Sequence, residues 1–184
     1  MMSSGPAKGP LLFDIAILDP RERIQGFINR YLLDDTYAGH EATLMRAIRV
    51  TSASQSSAEG EDDEAKATFE LEVVPGLCNP MNMMHGGAMA LLADMTTTMT
   101  AAPIARHAWR EFGGVSRTLG VTYLRPTYLG TTVAVHCILR SVSSRLSVIQ
   151  FIARDKASGK LLALAEHGKS AIGTHIHPKK ASRL

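Results

Sequence analysis

The stretch Cys78-Asn79-Pro80-Met81-Asn82-Met83-Met84-His85-Gly86-Gly87-Ala88 sets an amide, an imidazole and two adjacent glycines just ahead of a long apolar segment. Gly86 and Gly87 stand where that segment begins, and without a Cβ they let a ligand approach the main chain closely. The first N–H groups of a helix lack intrahelical acceptors and lie at the positive end of its dipole. Amides so placed can hold the oxyanion that forms when a carbonyl is attacked. Asp94 follows within Leu91-Leu92-Ala93-Asp94-Met95. A carboxylate in so apolar a run is costly unless it is paired or faces a cavity. Facing a cavity, it can act as a general base. The plainer readings are a tight turn capped by His85 and a structural Asp94 bonded to neighbouring backbone or to the threonines that follow it.

His85 and Asp94 are nine positions apart. At ~3.6 residues per turn and ~1.5 Å per residue, that spacing puts the side chains on roughly opposite faces and more than ~10 Å apart along the axis. One helix cannot aim both at one atom. If both belong to one site, two copies of the helix contribute, and a two-fold homodimer supplies them.

Around these residues the pattern predicts one dominant helix and six strands. Residues 1–10 are small, polar and Pro/Gly-rich, and residues 11–33 read as a helix with Ile24, Phe27, Ile28 and Tyr31 at helical spacing. Residues 42–51 and 67–74 read as strands, the second with Phe69, Leu71 and Val73 alternating with Glu70 and Glu72. Between them lies SASQSSAEGEDDE, a solvated loop by composition. Residues 86–102 form the buried helix, apolar on nearly every side and free of proline until Pro103. Four further strands are expected at 114–124, 131–142, 145–155 and 161–173, separated by Arg125-Pro126 with Gly130, by Ser143-Ser144 and by Ser158-Gly159. The order implies an α+β fold, a long central helix wrapped by a curved antiparallel sheet of about six strands, with an extra N-terminal helix. The expected organisation is a tail and helix over 1–40, the domain over 41–175 and a basic tail over 176–184.

Composition narrows the function classes. The 184 residues carry a net charge of +3 with scattered basic groups and only 5% aromatics, a poor match to a nucleic-acid surface. No apolar run approaches the ~20 residues that span a bilayer, so no membrane insertion is expected. Cys78 and Cys137 lie outside metal-ligand spacing and read as structural or neutral thiols. Neither His167 nor the pair His175 and His177 offers a metal-binding spacing.

The run Asn79-x5-His85-Gly86-Gly87-x6-Asp94, with Gly114-Val115-Ser116 and Thr122-Tyr123-Leu124-Arg125-Pro126, resembles the hotdog-fold acyl-CoA thioesterases. The similarity is to the branch of phenylacetyl-CoA thioesterases and thioesterase superfamily member 2. It covers roughly residues 67–169, this chain being slightly longer near 103–112. The resemblance implies hydrolysis of acyl-CoA thioesters at a site shared by two subunits. Asp94 becomes the general base or nucleophile, Ser116 the residue that positions water beside it, and Asn79 and the Gly86 N–H the holders of the thioester oxygen, with His85 orienting Asn79. Gly87, Tyr123, Ser143, Ser144, Arg145 and Lys169 become the coenzyme A contacts. It implies no metal and no cofactor, coenzyme A being part of the substrate, and a homodimer packed into a homotetramer. A hotdog acyl-thioester hydratase or dehydratase, or a non-catalytic acyl-CoA binding protein, are the alternatives. Asn79 and Ser116 favour hydrolysis over the hydratase pattern. The terminal Ser182-Arg183-Leu184 resembles a peroxisomal address, giving a peroxisomal location with an import receptor as partner, and a cytoplasmic one otherwise.

Overall fold

The computed structural model describes residues 12–56, 65–107, 110–111 and 113–171. The Ser182-Arg183-Leu184 terminus, His175 and His177 lie outside these residues. Helix α1 (Pro20–Leu33) begins where Asp19 accepts the Glu22 N–H at 2.8 Å and Pro20 occupies the first turn. It is shorter than the 11–33 expected from spacing, because cap and proline fix its start. Helix α2 (Ala42–Ala47) and strand β1 (Ile48–Gln55) replace the single strand expected over 42–51. Leu44 and Met45 are both fully buried, and adjacent residues of a strand cannot both face one core.

Strands β2 (Ala65–Glu72), β3 (Val115–Tyr123), β4 (Thr132–Val142), β5 (Leu146–Asp155) and β6 (Leu161–Ser170) join β1 in one sheet of order β1-β2-β4-β5-β6-β3. Every neighbouring pair is antiparallel. Helix α3 (Gly86–Thr100) lies against β2 through β6, while α1 packs on β1. Alternate residues face the helix: Phe69 and Leu71 from β2, Val133, Val135 and Cys137 from β4, Ile149 and Phe151 from β5, all fully buried. Burying each large apolar side chain contributes ~1.5–3 kcal/mol before chain entropy is counted. The outermost strand β3 is mostly exposed along its length.

One buried arginine ties the N-terminal segment to the far end of α3. Arg23 Nη1 donates to the carbonyls of Ala102, Pro103 and Ala105 at 2.9, 3.0 and 3.1 Å, and Nε donates to Ile17 at 2.7 Å. These carbonyls follow the last turn of the helix, where acceptors have run out of helical donors. Among the described residues no helix is long and apolar enough to cross a membrane, and no group of three or more His, Cys, Asp or Glu is placed to hold a metal ion.

Candidate active site

The chemistry-bearing residues gather at two places on α3. At its N-terminus the loop before the helix is held by its own backbone: Asn79 N–H donates to Met83 at 2.8 Å, and Asn82 takes the left-handed φ of 56° that closes the turn. Asn79 Oδ1 accepts the N–H groups of Met81 and Met83 at 2.9 and 3.2 Å. With that oxygen engaged, Nδ2 is the donor group that Asn79 keeps for a further partner. The backbone of Met81 and Met83 therefore orients this amide, the task the resemblance assigns to His85. His85 caps α3, its Nδ1 accepting the Gly87 N–H at 2.9 Å. In the neutral ring the hydrogen then sits on Nε2. Gly86 N–H starts the helix without an acceptor four residues back. Tyr123 reaches over it from β3, donating Oη to Gly86 O at 3.0 Å. Asn79, Gly86, Met83, Met89, Tyr123 and Leu162 line part of an open cleft of about 390 Å³.

Two turns further along, Asp94 meets Ser116 of β3. Ser116 Oγ donates to Asp94 Oδ1 at 3.1 Å within the same chain. The Asp94 side chain is 36% exposed, so the helix presents it at the protein surface rather than in the core. Behind the pair stands His167 of β6, fully buried, with Nε2 2.9 Å from Ser116 Oγ and 3.5 Å from Asp94 Oδ1. Its Nδ1 lies 2.6 Å from Thr97 Oγ1. Sequence reading passed over His167 as a site residue. A signal was there: Ala163, Ala165, His167 and Lys169 form the inward-facing alternation of β6, and two polar residues on a buried face need a reason.

Lys169 follows the same alternation and so departs from the expected coenzyme A path. The residue is 3% exposed, and its ammonium donates to Thr98 Oγ1 at 2.7 Å. Burial lowers its pKa to about 8, with Asp94 opposing and Arg110 assisting. The other expected coenzyme A residues stay outside. Ser143, Ser144 and Arg145 form the exposed β4–β5 turn, closed by Leu146 N–H donating to Ser143 Oγ at 3.0 Å. Arg110, from the stretch before β3, braces that turn through Nη2, which donates to Ser143 O at 3.0 Å and Leu146 O at 2.9 Å. Nothing in the local sequence around Arg110 marks this contact, which spans more than thirty residues. Gly87 remains exposed beside Gly86. Cys137 is fully buried, and burial raises its thiol pKa to about 12, which leaves no thiolate for nucleophilic work.

Burial, and then the Lys169 ammonium, lower the His167 pKa well below the usual 6.5 while Asp94 pulls the other way. Above about pH 6.5 neither the folded nor the unfolded ring holds a second proton. Below it the unfolded chain takes one first, so stability falls with pH until the native ring protonates too. The stability advantage of the protein over a His167→Gln variant is therefore expected to shrink as pH drops from about 7 to about 5 in urea melts. A difference that stays flat over that range contradicts the assignment.

The geometry fits what similarity shows. The thioesterase superfamily model matches residues 81–162. Acyl-coenzyme A thioesterase 13 of Homo sapiens is 30% identical over 104 residues, which are 56% of this chain and 71% of that protein; the Mus musculus protein of that name is 28% identical over the same length. Zebrafish thioesterase superfamily member 2 superposes with a TM-score of 0.65 at 23% identity, over 82% of this chain and 96% of that one. The E. coli PaaI protein of the phenylacetic acid degradation operon gives 0.60 at 18% identity, over 83% and 96%. The fold is the hotdog fold, and the chain belongs to the thioesterase superfamily. It is an enzyme of thioester hydrolysis.

Proposed function

We propose that the protein hydrolyses acyl-CoA thioesters to a free acid and coenzyme A, at a site to which two subunits contribute. The observation that carries this reading is the division of labour along α3. Asp94, Ser116 and His167 converge within 3.5 Å of one another, while Gly86 and Asn79 sit at the helix tip. Gly86 and Asp94 are ~12 Å apart along a helix rising ~1.5 Å per residue, too far for one carbonyl. The tip of one subunit and the carboxylate of its partner close that gap. Asn79 Nδ2 and Gly86 N–H hold the thioester oxygen as it gains charge. Ser116 and Asp94 position a water, Asp94 takes its proton as the C–O bond forms, and collapse breaks the C–S bond with the electron pair leaving on sulfur. The proton then passes to the departing thiolate. The acyl-CoA substrate is supported by the names of the similar thioesterases and by the exposed β4–β5 turn with Arg145, where a guanidinium can pair with phosphate. A homotetramer of two such dimers and a peroxisomal location rest on the resemblance and on Ser182-Arg183-Leu184.

Mixing tests the shared site. An Asp94→Asn enzyme and an Asn79→Asp enzyme are each expected to be nearly inactive in releasing thiol from acyl-CoA. Unfolded together and refolded, half the dimers are mixed and carry one intact site of two, so roughly a quarter of native activity returns. No recovery in folded mixed dimers places both residues in one subunit's site and overturns the arrangement.

A further inference from the structure

The four polar contacts that run from α3 to Asp94 have a fixed hydrogen count. Thr97 Oγ1 lies 2.6 Å from Ala93 O and 2.6 Å from His167 Nδ1; His167 Nε2 lies 2.9 Å from Ser116 Oγ; Ser116 Oγ lies 3.1 Å from Asp94 Oδ1. With a neutral imidazole and an ionised carboxylate, only three hydrogens are available, one each on Thr97, His167 and Ser116.

The direction of the chain is set at Thr97. A carbonyl oxygen can only accept, so the 2.6 Å contact to Ala93 O takes the Thr97 hydrogen. The neighbouring threonine shows the same choice without ambiguity. Lys169 Nζ can only donate to Thr98 Oγ1, so the Thr98 hydrogen goes to Asp94 O at 2.7 Å. Thr97 therefore receives from His167, which places the ring hydrogen on Nδ1 and leaves Nε2 a bare acceptor. The Ser116 hydrogen can then fill the gap to Nε2 or the gap to Asp94, and one contact is left without a hydrogen. The charged groups facing the ring are Asp94 from α3 and Lys169 from β6, with Arg110 acting on Lys169.

We infer that Thr97 is a positioning residue of the reaction, holding His167 with Nδ1 protonated and Nε2 bare, so that His167, Ser116 and Asp94 form a chain one hydrogen short that the proton taken from water completes. When Asp94 takes that proton, its carboxyl O–H donates to Ser116 Oγ, Ser116 donates to Nε2, and every contact is filled. Return of the proton from Asp94 to the coenzyme A sulfur restores the starting count. No other donor or acceptor is consumed. The inference rests on the hydrolytic reading above, with Asp94 as base.

The test reads the tautomer directly, by long-range 1H–15N correlation on deuterated enzyme labelled at histidine, with His167 assigned through a His167→Gln variant. The expected spectrum shows Nδ1 protonated and Nε2 unprotonated at neutral pH. In Thr97→Val, which removes the acceptor and keeps the shape, the hydrogen moves to Nε2. There kcat for thiol release drops about tenfold, well under the ~10²–10⁴ of a lost general base, while KM stays within about twofold. Thr97→Ser restores both the tautomer and kcat. A protonated Nε2 in the native enzyme overturns the inference whether or not the variant folds, and so does an unchanged kcat in folded Thr97→Val. An Asp94→Asn enzyme that keeps releasing thiol sinks the hydrolytic reading and leaves the tautomer result standing, so the two failures are distinguishable.

Discussion

Asp94→Asn is expected to lower kcat for thiol release by about 10²–10⁴-fold, the span covered by a positioned general base. In free energy that is ~2.7–5.4 kcal/mol of lost transition-state stabilisation. The substitution keeps volume and shape. An amide oxygen at Oδ1 can still accept from Ser116 Oγ, now 3.1 Å away, so the pair need not come apart. What disappears is the basic lone pair that the proposed mechanism uses for the water's proton. KM should move little, since in the proposed arrangement the groups that hold the carbonyl sit at the other end of the helix and act from the other subunit. Steady-state rates with a chromogenic thiol reagent check both numbers, and a kcat loss below tenfold removes Asp94 from the base's role. Folding should be almost unaffected, because the carboxylate is only partly covered.

Asn79→Asp is the second large expected effect and isolates the proposed oxyanion donor. Asn79→Ala would remove two things at once, the Nδ2 donor and the oxygen that anchors Met81 and Met83. Aspartate keeps an acceptor for both N–H groups and replaces the donor with a negative oxygen. Loss of one oxyanion donor costs ~10²–10³ in turnover, and a like charge facing the developing oxyanion adds to that. The expected result is a kcat lowered by at least ~10²-fold with an unfolding midpoint close to that of the native enzyme. A variant that keeps its kcat shows that Asn79 serves only the loop.

These residues were legible because their surroundings are local. Asn79, His85, Gly86 and Asp94 fall on one continuous stretch, and its glycines and Pro103 bracket α3 almost as the structure does. Strands β2, β4, β5 and β6 were legible within a few residues because each alternates buried positions with more exposed ones. The stretch at 42–51 was not: six helical residues are too few to show a period, and only the joint burial of Leu44 and Met45 separates helix from strand. His167, Lys169 and Arg110 act through contacts with residues 30 or more positions away. Such pairings depend on strand register, β6 beside β3 and β5, which no single segment encodes.

The threonines of α3 sort the polarity of the interior. Thr96, Thr97 and Thr98 each direct a hydroxyl hydrogen to a carbonyl four residues back, at 2.7, 2.6 and 2.7 Å. Lone pairs are then all they show to the sheet, and what faces them brings hydrogens: Cys137, His167 and Lys169. A carboxylate set at 137 or 169 would meet threonine lone pairs where the native side chain brings a hydrogen. The helix thus dictates the chemical sign of side chains on two strands that it never adjoins in sequence.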